Sequence, residues 1–347
     1  MSSLQVRKLS SNQALTVPDG LSSAATFTAL DSWTGLVKAI YGYETHRFEA
    51  IQENEVTGIL ALTHVRHPIF GNYLVTSPFG SFGGLAFSSA EARDILLREA
   101  QKLTNDLKAE YAVVRFIEEG NQSPSPWIQN PIYSTYLLNL PSNPDDLLEG
   151  FGRQHRKHTR QALRKGFKVQ FGRLELLDET YEVLARSMHE LGSPYHSKNY
   201  LRQMASLLGD DLEFAVIKDA GGSLVGSAVL VYHGETATNL HANILHKYRS
   251  DYAGECLYWN ILEYYTRRGI KVCDMGRSLN GSGNEAFKFK WKPLKVPLAY
   301  WYYLPKGGHI PELNQKSPKF QLAIWMWKHL PRFMVRALGP YLIRGIA

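Results

Sequence analysis

The stretch of sequence that decides the fold runs from residue 240 to residue 298. It includes HANILHKYRSDYAGECLYWNILEYYTRRGIKVCDMGRS at 241–278 and GSGNEAFKFKWKPLKVPL at 281–298. A polar loop, 246–253, leads into a helix that begins near Gly254, because apolar residues recur there at helical spacing. A short strand, 270–275, comes next, and a glycine-rich turn then leads into an aromatic, lysine-rich strand. The predicted order is therefore strand, loop, long helix, strand, turn and strand.

The loop at 246–253 is a candidate anion site. The first amides of a helix lack internal hydrogen-bond partners, so a loop that opens a helix presents N–H groups to a phosphate. Arg249 is the candidate contact for a carrier phosphate, Gly254 lies where the helix opens, and Glu255 is placed to cap it. The order of elements resembles the second half of a GNAT acyltransferase. An ordinary α/β unit with a solvated turn is the alternative.

Composition limits the class of protein. The chain has 347 residues, 44% hydrophobic and 20% charged, which is typical of a well-packed globular protein with room for two domains. Cys256 and Cys273 are predicted in a helix and a buried strand, so neither a disulfide framework nor a metal site is expected. A reducing compartment is the default. We see no signal peptide and no apolar run of about 18 residues, so a cytoplasmic protein is expected.

The charge of the chain favours an anionic partner. The formal charge is +7 and the isoelectric point is about 9.2. Partners that fit this excess are tRNA, a nucleotide-linked precursor, a phosphorylated carrier and the inner face of a membrane. Composition does not choose among them.

The hydrophobic pattern predicts an α/β fold in two similar halves. Each half runs helix, two antiparallel strands, then helix and strand, which indicates an internal structural repeat without a clear sequence repeat. The predicted domains are 1–143, 144–310, which carries the main site, and a C-terminal helical tail, 311–347.

A basic helix is predicted within 144–168. Its cations fall along one stripe of the helix, without acidic partners four residues on; they are Arg153, Arg156, Lys157, Arg160 and Arg164. One interpretation is a solvated basic face. The other, which we favour, is a stripe that faces phosphate, and it makes Arg156 and Arg160 candidate phosphate ligands.

Several motifs occur together in the order seen in FemAB-like proteins. The chain resembles that family over residues 30 to 345, and most closely the branch that accompanies exosortase/PEP-CTERM and exopolysaccharide gene clusters. The motifs are LVTSPFGSFGG (74–84), AVVRF (112–116), FGRQHRKHTRQALRKGFKV (151–169), GSPYHSKNYL (192–201), YRSDYAGECLYWNILEYYTRRG (248–269), DMGRSLNGSGNEAFKFKWKP (274–293) and LPRFMVRALGPYLIR (330–344).

The resemblance implies two tandem GNAT-like domains and the transfer of an acyl or aminoacyl group. Peptidoglycan members of the family take the group from aminoacyl-tRNA and add it to a lipid- or nucleotide-linked muropeptide. Two features of this chain depart from the pattern. The long helical hairpin of some members is missing, and the pyrophosphate signature is reduced to Arg249 followed by Ala253-Gly254. The donor, acyl-CoA or aminoacyl-tRNA, therefore stays open, and no tightly bound cofactor is expected.

The resemblance also suggests site residues. Lys290 follows Phe289 in FKFKW, where similar FemAB members carry a site lysine, and it is expected to neutralise charge at the reacting ester or to bind phosphate. Lys288 and Lys292 share its face if the segment is a regular strand, so the choice among the three lysines stays open. Lys288 and Phe289 are candidate substrate contacts. A surface lysine at a strand edge is the alternative.

Two further positions are candidate catalytic residues. Arg277 lies at the C-terminal end of a buried strand, where α/β sites usually lie, with Asp274 either orienting it or capping the turn. His196, with Ser193 and Tyr195, forms a polar loop that the resemblance places near the acceptor cleft. His196 is a plausible general base because imidazole titrates near neutrality, although a solvated loop histidine is the alternative.

Two polar residues precede the polar loop on its strand. His241 and Asn243 point to the same side of this strand, either lining the cleft or satisfied in the core. We identify no nucleophile, because neither cysteine has a histidine neighbour in sequence and no Gly-x-Ser-x-Gly elbow occurs. Direct attack by an acceptor amine is therefore expected.

The tail pairs apolar residues with cations. Trp327 and its apolar neighbours form one stripe, with Phe320, Ile324 and Leu330, and Pro331 and Pro340 are expected to break the segment into short helices. Basic residues beside Trp and Phe on an amphipathic helix are typical of an interfacial membrane segment. A packing helix that closes the edge of the protein is the alternative, slightly favoured.

Two hypotheses for function follow. The first is a cytoplasmic N-acyltransferase that adds a group to an amine on a cell-envelope or exopolysaccharide precursor. The second is a degenerate GNAT pair that binds a glycan precursor or an assembly partner without catalysis.

Overall fold

The computed structural model describes residues 4–10, 12–21, 25–117, 123–311 and 318–347. The chain divides into two compact units. Unit 1 comprises Met1–Ser134, Val296–Glu312 and Arg344–Ala347, and unit 2 comprises Thr135–Lys295 and Leu313–Ile343. The chain thus leaves unit 1 and returns to it twice. The limits at 143 and 310 stay a prediction of domain boundaries.

The described residues form strands and helices in alternating groups. The strands are β1 (Gln5–Lys8), β2 (Glu44–Gln52), β3 (Glu55–His67), β4 (Gly71–Val75), β5 (Leu85–Phe87), β6 (Tyr111–Ile117), β7 (Ile128–Gln129), β8 (Tyr133–Asn139), β9 (Lys168–Gly172), β10 (Leu212–Lys218), β11 (Leu224–His233), β12 (Thr236–Ile244), β13 (Val272–Asp274), β14 (Ser278–Leu279) and β15 (Leu294–Tyr303). The helices are α1 (Asp31–Tyr41), α2 (Ala90–Asp106), α3 (Pro144–Gly150), α4 (Arg153–Leu163), α5 (Leu177–Leu191), α6 (Lys198–Leu208), α7 (Ala253–Arg267), α8 (Gly283–Phe289), α9 (Pro318–His329) and α10 (Arg332–Ile343).

Unit 1 is a mixed sheet with helices packed on it. Strands β2, β3 and β4 are antiparallel neighbours, α2 follows them, and β6 then pairs parallel with β4. β15 pairs antiparallel with β6. The β2–β3 turn has positive φ at Glu53 and Asn54, 53° and 68°, the conformation that a two-residue hairpin requires. The sequence RFEAIQENEVTGILALTHV, 47–65, predicts this hairpin with its turn at 53–55, and the structure confirms it.

Unit 2 repeats this order with different strands. β10, β11 and β12 are antiparallel neighbours, α7 follows them, and β13 then pairs parallel with β12. Residues 137–139 of β8 pair antiparallel with β13. A core of buried side chains from α7 and the sheet, including Leu257 and Tyr265, lies between helix and strands. The predicted α/β class and the repeated order are therefore confirmed. Each unit, however, has three antiparallel strands before its helix and parallel strand, not the two that were predicted.

Two predicted elements of unit 2 differ from the structure. The helix predicted within 144–168 is two helices, α3 and α4, because the backbone at Phe151 and Gly152 is extended. The segment around Phe289 is the end of helix α8, not a strand. Ser282 caps that helix by accepting a hydrogen bond from the Glu285 N–H at 3.2 Å. The pattern Ser-x-x-Glu is a capping box, and it was the signal for a helix.

The C-terminal tail forms α9 and α10, which both contact α5 in unit 2. Pro331 separates the two helices, as predicted. Pro340, however, lies inside α10. It removes the N–H that would donate to the Arg336 carbonyl oxygen, yet the helix continues to Ile343. The side chains of Lys319 and Phe320 lie outside the described part of the chain.

Candidate functional site

The two parallel strands of unit 2 diverge beside α7. β13 pairs with β12 only from Thr236 to Thr238, whereas β12 stays paired with β11 as far as Ile244. Val229 of β11 pairs with His241 and the next residue, Leu230, pairs with Asn239. Residue 240 of β12 is therefore an extra residue that forms a bulge. Among the described residues no strand pairs with this edge of β12 beyond Thr238. Backbone donors and acceptors are therefore left for another partner at the point of divergence.

A turn at the end of β13 lies against this edge. Asp274 accepts hydrogen bonds from the Thr135 hydroxyl at 2.6 Å and from the Gly276 N–H at 2.9 Å. It thus caps the turn, the second of its two predicted roles, and burial raises the pKa of its carboxyl. Gly276 has a φ of +76°, and a Cβ there would lie 3.3 Å from the Asn239 carbonyl oxygen of β12. Arg277, the next residue, is exposed.

Lys288 is a buried cation at this turn. Its Nζ donates to the carbonyl oxygens of Gly276 at 2.6 Å and Arg277 at 3.1 Å, and it lies 5.1 Å from the centre of the Tyr136 ring. Only 6% of the residue is exposed. Burial lowers the pKa of its ammonium group to about 8, although the nearby Asp274 opposes this shift. Sequence reasoning named Lys288 as a substrate contact and placed the catalytic role on Lys290.

Glu285 is a buried acidic residue near Lys288, and the sequence analysis did not name it as a site residue. It accepts hydrogen bonds from the Tyr136 hydroxyl at 2.6 Å and from Lys295 at 2.7 Å. The bond from Lys295, followed by that from Tyr136, lowers the pKa of its carboxyl to about 2. Phe289 is 46% exposed and meets Tyr136 edge to face, with ring centres 5.6 Å apart. Glu285 therefore orients the tyrosine beneath Lys288.

Lys290 lies elsewhere, at the start of α7. Its Nζ donates to Glu255 at 2.9 Å, and 44% of the lysine side chain but only 6% of the glutamate side chain is exposed. Gly254 adjoins this pair, and a Cβ there would lie 3.4 Å from the Phe287 ring. Lys292 instead donates to the Gly150 carbonyl oxygen. Because this segment ends a helix, the three lysines do not share one face. The prediction that they lie on one face of a strand was wrong.

The polar loop folds as a short 3-10 helix, His246–Asp251, before α7. Arg249 is exposed, and its Nε donates to the Ile244 carbonyl oxygen at 3.3 Å. Tyr252 has a φ of 59° and stacks on His158 of α4, with ring centres 4.5 Å apart. The loop that opens α7 is thus held against the basic helix α4.

The basic stripe forms one face of α4, as predicted, and its opposite face is buried. Arg156 and Arg160 bind the Glu149 carboxylate of α3 at 3.2 Å and 3.3 Å. The acidic partner that is missing within the helix thus comes from the preceding helix. Arg153 and Lys157 are exposed. The stripe is a solvated cationic surface that is partly neutralised within unit 2.

The GSPYHS loop meets β12 in an aromatic cluster. His196 stacks on Tyr200 with ring centres 4.0 Å apart, and Tyr195 lies 5.4 Å from His196 and 5.5 Å from His241. The two histidine rings are 5.9 Å apart. The structure therefore brings together three residues that sequence reasoning placed in one cleft. Tyr200 is an addition, with its position four residues after His196 as the only signal.

Tyr195, His196 and Tyr200 are buried and His241 is partly exposed, but its Nε2 atom is out of water, so desolvation favours the neutral form of both histidines. Burial, with a smaller contribution from His241, lowers the pKa of His196, and burial alone lowers that of His241 to about 4. The His241 Nε2 atom is out of water and has no hydrogen-bond partner among the described residues. Asn243 is partly exposed, and Ser193 contributes its carbonyl oxygen to Trp327 of α9 at 3.1 Å. His196 is therefore not a solvated loop histidine.

Acid should destabilise the fold through the buried histidines. An unfolded histidine binds a proton below about pH 6.5, whereas folded His241 resists protonation down to about pH 4. The free energy of unfolding should therefore fall by about 1 kcal/mol between pH 7 and pH 5.5 through this residue alone. Urea denaturation at both pH values measures it. His241→Gln should lose this part of the pH dependence, and exposed His246→Gln should keep it; equal slopes in both variants would contradict the assignment.

Comparison with known proteins agrees with this architecture. Residues 153–289 match the family model described as an acetyltransferase (GNAT) domain. FemX matches 90% of this chain and 100% of its own, with 16% identity and a TM-score of 0.64. A tandem GNAT protein from the clavulanic acid biosynthesis pathway matches 88% of this chain and 100% of its own, with 14% identity and a TM-score of 0.54.

A third similar structure is L-PGS from Bacillus licheniformis. It matches 86% of this chain and 93% of its own, with 12% identity and a TM-score of 0.53. No curated protein matches the chain in sequence. The fold is therefore that of two tandem GNAT-like domains, and the matched domain supports an acyltransferase.

Proposed function

We propose that this chain is a FemAB-like N-acyltransferase that moves an acyl or aminoacyl group from a carrier to an amine. The observation that carries the proposal is the divergence of β12 and β13, with the Lys288 ammonium buried at its end. Backbone N–H groups and a cation around one opening in a sheet suit a carbonyl group that develops negative charge. The proposed reaction centre lies within unit 2.

The chemistry is direct attack. The acceptor nitrogen bonds to the donor's carbonyl carbon, the bond from that carbon to the carrier's oxygen or sulfur breaks, and the amine proton leaves through a base to the carrier. Lys288 has three N–H donors, and two of them bind the carbonyls of Gly276 and Arg277. We assign the third to the oxyanion. His196 and His241 are the candidate bases, because their rings lie 5.9 Å apart where the polar loop meets β12. Their lowered pKa keeps both rings unprotonated at neutral pH and also makes them weak bases.

The carrier is assigned to the start of α7. The loop at 246–251, with exposed Arg249, precedes helical amides that lack internal partners. Lys290, which is partly exposed at the same helix end, is better placed for a carrier phosphate than for the reacting carbonyl. The donor is acyl-CoA or an aminoacyl-tRNA, and the second option uses the basic face of α4, including Arg156 and Arg160.

The acceptor is proposed to be an amine on a cell-envelope or exopolysaccharide precursor. The FemAB resemblance of the sequence supports this, as does the matching fold of FemX. On the same ground we place the chain in the exosortase-associated branch and in the cytoplasm, where both donors occur. Arg277, exposed beside the buried lysine, is the proposed acceptor contact.

A donor screen tests the proposal. Native mass spectrometry and thermal shift with acetyl-CoA, longer acyl-CoAs and charged tRNA should show one class that raises the melting temperature with concentration. For a CoA donor, Arg249→Ala should weaken binding by about tenfold, since it removes one charge-assisted contact. For a tRNA donor, Lys157→Glu on α4 should do so. Leu174→Ala, at an exposed position outside these surfaces, is the control. If none of the tested donors supports turnover, the proposal is contradicted.

A non-catalytic protein that binds a glycan precursor is the second candidate. One observation favours it: cations assigned to the carrier already have acidic partners, Glu149 for Arg156 and Arg160, and Glu255 for Lys290. A carrier phosphate has to displace these partners. Tight precursor binding without product, unchanged by Lys288→Met, would support this candidate over the first.

A further inference from the structure

Helix α9 carries an exposed apolar face. Leu322, Trp325 and Met326 are 58%, 58% and 55% exposed. Their spacing of three and four residues places them on one side of the helix. His329, one turn further on, packs against Trp325 with tilted rings whose centres are 4.5 Å apart. Large apolar side chains grouped in this way are unusual on a protein surface without a partner.

Helix α10 continues the pattern. Phe333 is 74% exposed, the largest value among the exposed apolar residues of the described chain, and Leu338 and Tyr341 are 44% and 40% exposed. The opposite side of α10 is packed: Val335 is buried, and a Cβ on Gly339 would lie 2.9 Å from the Tyr195 carbonyl oxygen. The two helices are therefore anchored on unit 2 by one side and present apolar residues on the other.

The anchoring of α9 excludes a loosely attached segment. Trp327 is buried and its indole N–H donates to the Ser193 carbonyl oxygen at 3.1 Å. Its own carbonyl oxygen lies 3.0 Å from the His189 ring of α5. Gly192 has a φ of +83° directly beneath Ile324. The sequence alternatives, a packing helix and an interfacial helix, thus describe opposite sides of the same two helices.

The charge beside the apolar face has one sign. Residues 318–347 contain no aspartate or glutamate. Lys328 and Arg332 are exposed at the junction of the two helices. Arg336 forms an ion pair with Glu182 of α5 and is neutralised there. Apolar rings beside cations without an acidic partner in the tail suit a partner with an apolar interior and negative charges at its surface.

We propose that the exposed side of α9 and α10 binds the surface of an anionic lipid bilayer. Trp, Phe and Leu enter the boundary between headgroups and acyl chains, while lysine and arginine contact anionic headgroups. The helices lie in the plane of the membrane; no helix of the described chain is long and apolar enough to cross one. The inference can be tested apart from the proposed function, because the variants that test it change no residue assigned to the site.

Charge also argues against a second copy of this chain as the occupant. A symmetric dimer places the same patch on both sides of the interface. The cations of one copy, including Lys328 and Arg332, then face a tail of the other copy that contains no acidic residue, and like charges oppose association. A lipid surface supplies the missing negative charge.

Vesicle sedimentation of the full chain tests the proposal. We expect binding to vesicles of phosphatidylcholine with 30% phosphatidylglycerol, weaker binding to pure phosphatidylcholine, and loss of binding as salt rises. Trp325→Ser with Phe333→Ser should weaken binding by about 100-fold, since the variant lacks two rings that are proposed to enter the membrane. Leu174→Ser with Leu207→Ser, exposed positions outside the tail, is the matched control and should bind like the wild type.

The outcomes separate the occupants. Arg332→Glu, which replaces an exposed cation with an anion, should weaken binding to anionic vesicles by about fivefold and serves if the double variant does not fold. Failure of the wild type to bind anionic vesicles, or equal loss in the control, would overturn the proposal. A dimer seen by analytical ultracentrifugation and abolished by the double variant, without vesicle binding, would assign the face to a second copy.

Discussion

Lys288→Met is expected to lower kcat/KM for the donor by about 100- to 1,000-fold, the usual cost of removing one oxyanion donor. Methionine keeps the length of the side chain and removes only its charge and its N–H groups. Stability should change little. The lowered pKa shows that burying this charge is unfavourable, and removing it offsets the two carbonyl hydrogen bonds that are lost. Steady-state kinetics and the melting temperature measure the two effects separately.

The pH profile gives this prediction a second readout. With a pKa of about 8, Lys288 loses its charge as the pH rises, so the wild-type kcat/KM should fall above about pH 8. Lys288→Arg keeps the charge and should lose that alkaline limb, if the guanidinium is accommodated. Lys292→Met, which removes a lysine bound to a backbone carbonyl on α3, is the control and should retain the rate. Full activity of Lys288→Met would exclude the role.

Trp291→Ala is expected to cost unit 2 about 3–5 kcal/mol of stability, the usual range for a fully buried tryptophan. The residue is 0% exposed and has ring contacts with Phe151, His155 and Tyr258, at centre distances of 5.3 Å, 4.3 Å and 5.9 Å. These partners lie at the end of α3, in α4 and in α7. Its indole N–H has no hydrogen-bond partner among the described residues, so the loss is one of packing.

The measurement is urea denaturation of the full chain, followed by far-ultraviolet circular dichroism. Trp325→Ala is the matched control, because that tryptophan is 58% exposed and its loss should change stability by less than about 0.5 kcal/mol. Trp291→Ala should also bind a carrier more weakly, since the start of α7 loses the tryptophan that packs against this helix. Equal stability of the two variants would show that Trp291 does not hold the helices together.

Most of the fold was predictable because its signals are local. The apolar periodicity of α7, the hairpin of β2 and β3, and the buried strand β6 follow from residues close in sequence. The type of element was wrong at α8, since its lysine and phenylalanine alternation resembles a strand, and the single helix predicted within 144–168 is two helices. The capping residues Ser282 and Glu285 outweigh that alternation.

The site was predictable in its parts but not in its contacts. His196 and His241 were both identified, yet their contact with each other and the stacking of His196 on Tyr200 depend on how the loop before α6 meets β12, and no sequence pattern encodes this. Lys288 and Lys290 look alike in sequence. Only the turn at Gly276 distinguishes them, because it supplies the carbonyls that hold one lysine inside while the other reaches Glu255.

The return of the chain to unit 1 has a consequence for folding during synthesis. The strands of unit 2, including β10 to β13, leave the ribosome before β15, which pairs with β6 of unit 1. The first strands of unit 1 are therefore synthesised first, but one edge of β6 stays unpaired until unit 2 has been synthesised and β15 follows. Exposed sheet edges in unfinished chains promote aggregation. The N-terminal unit, although translated first, is the part of this protein that most needs protection while it is being made.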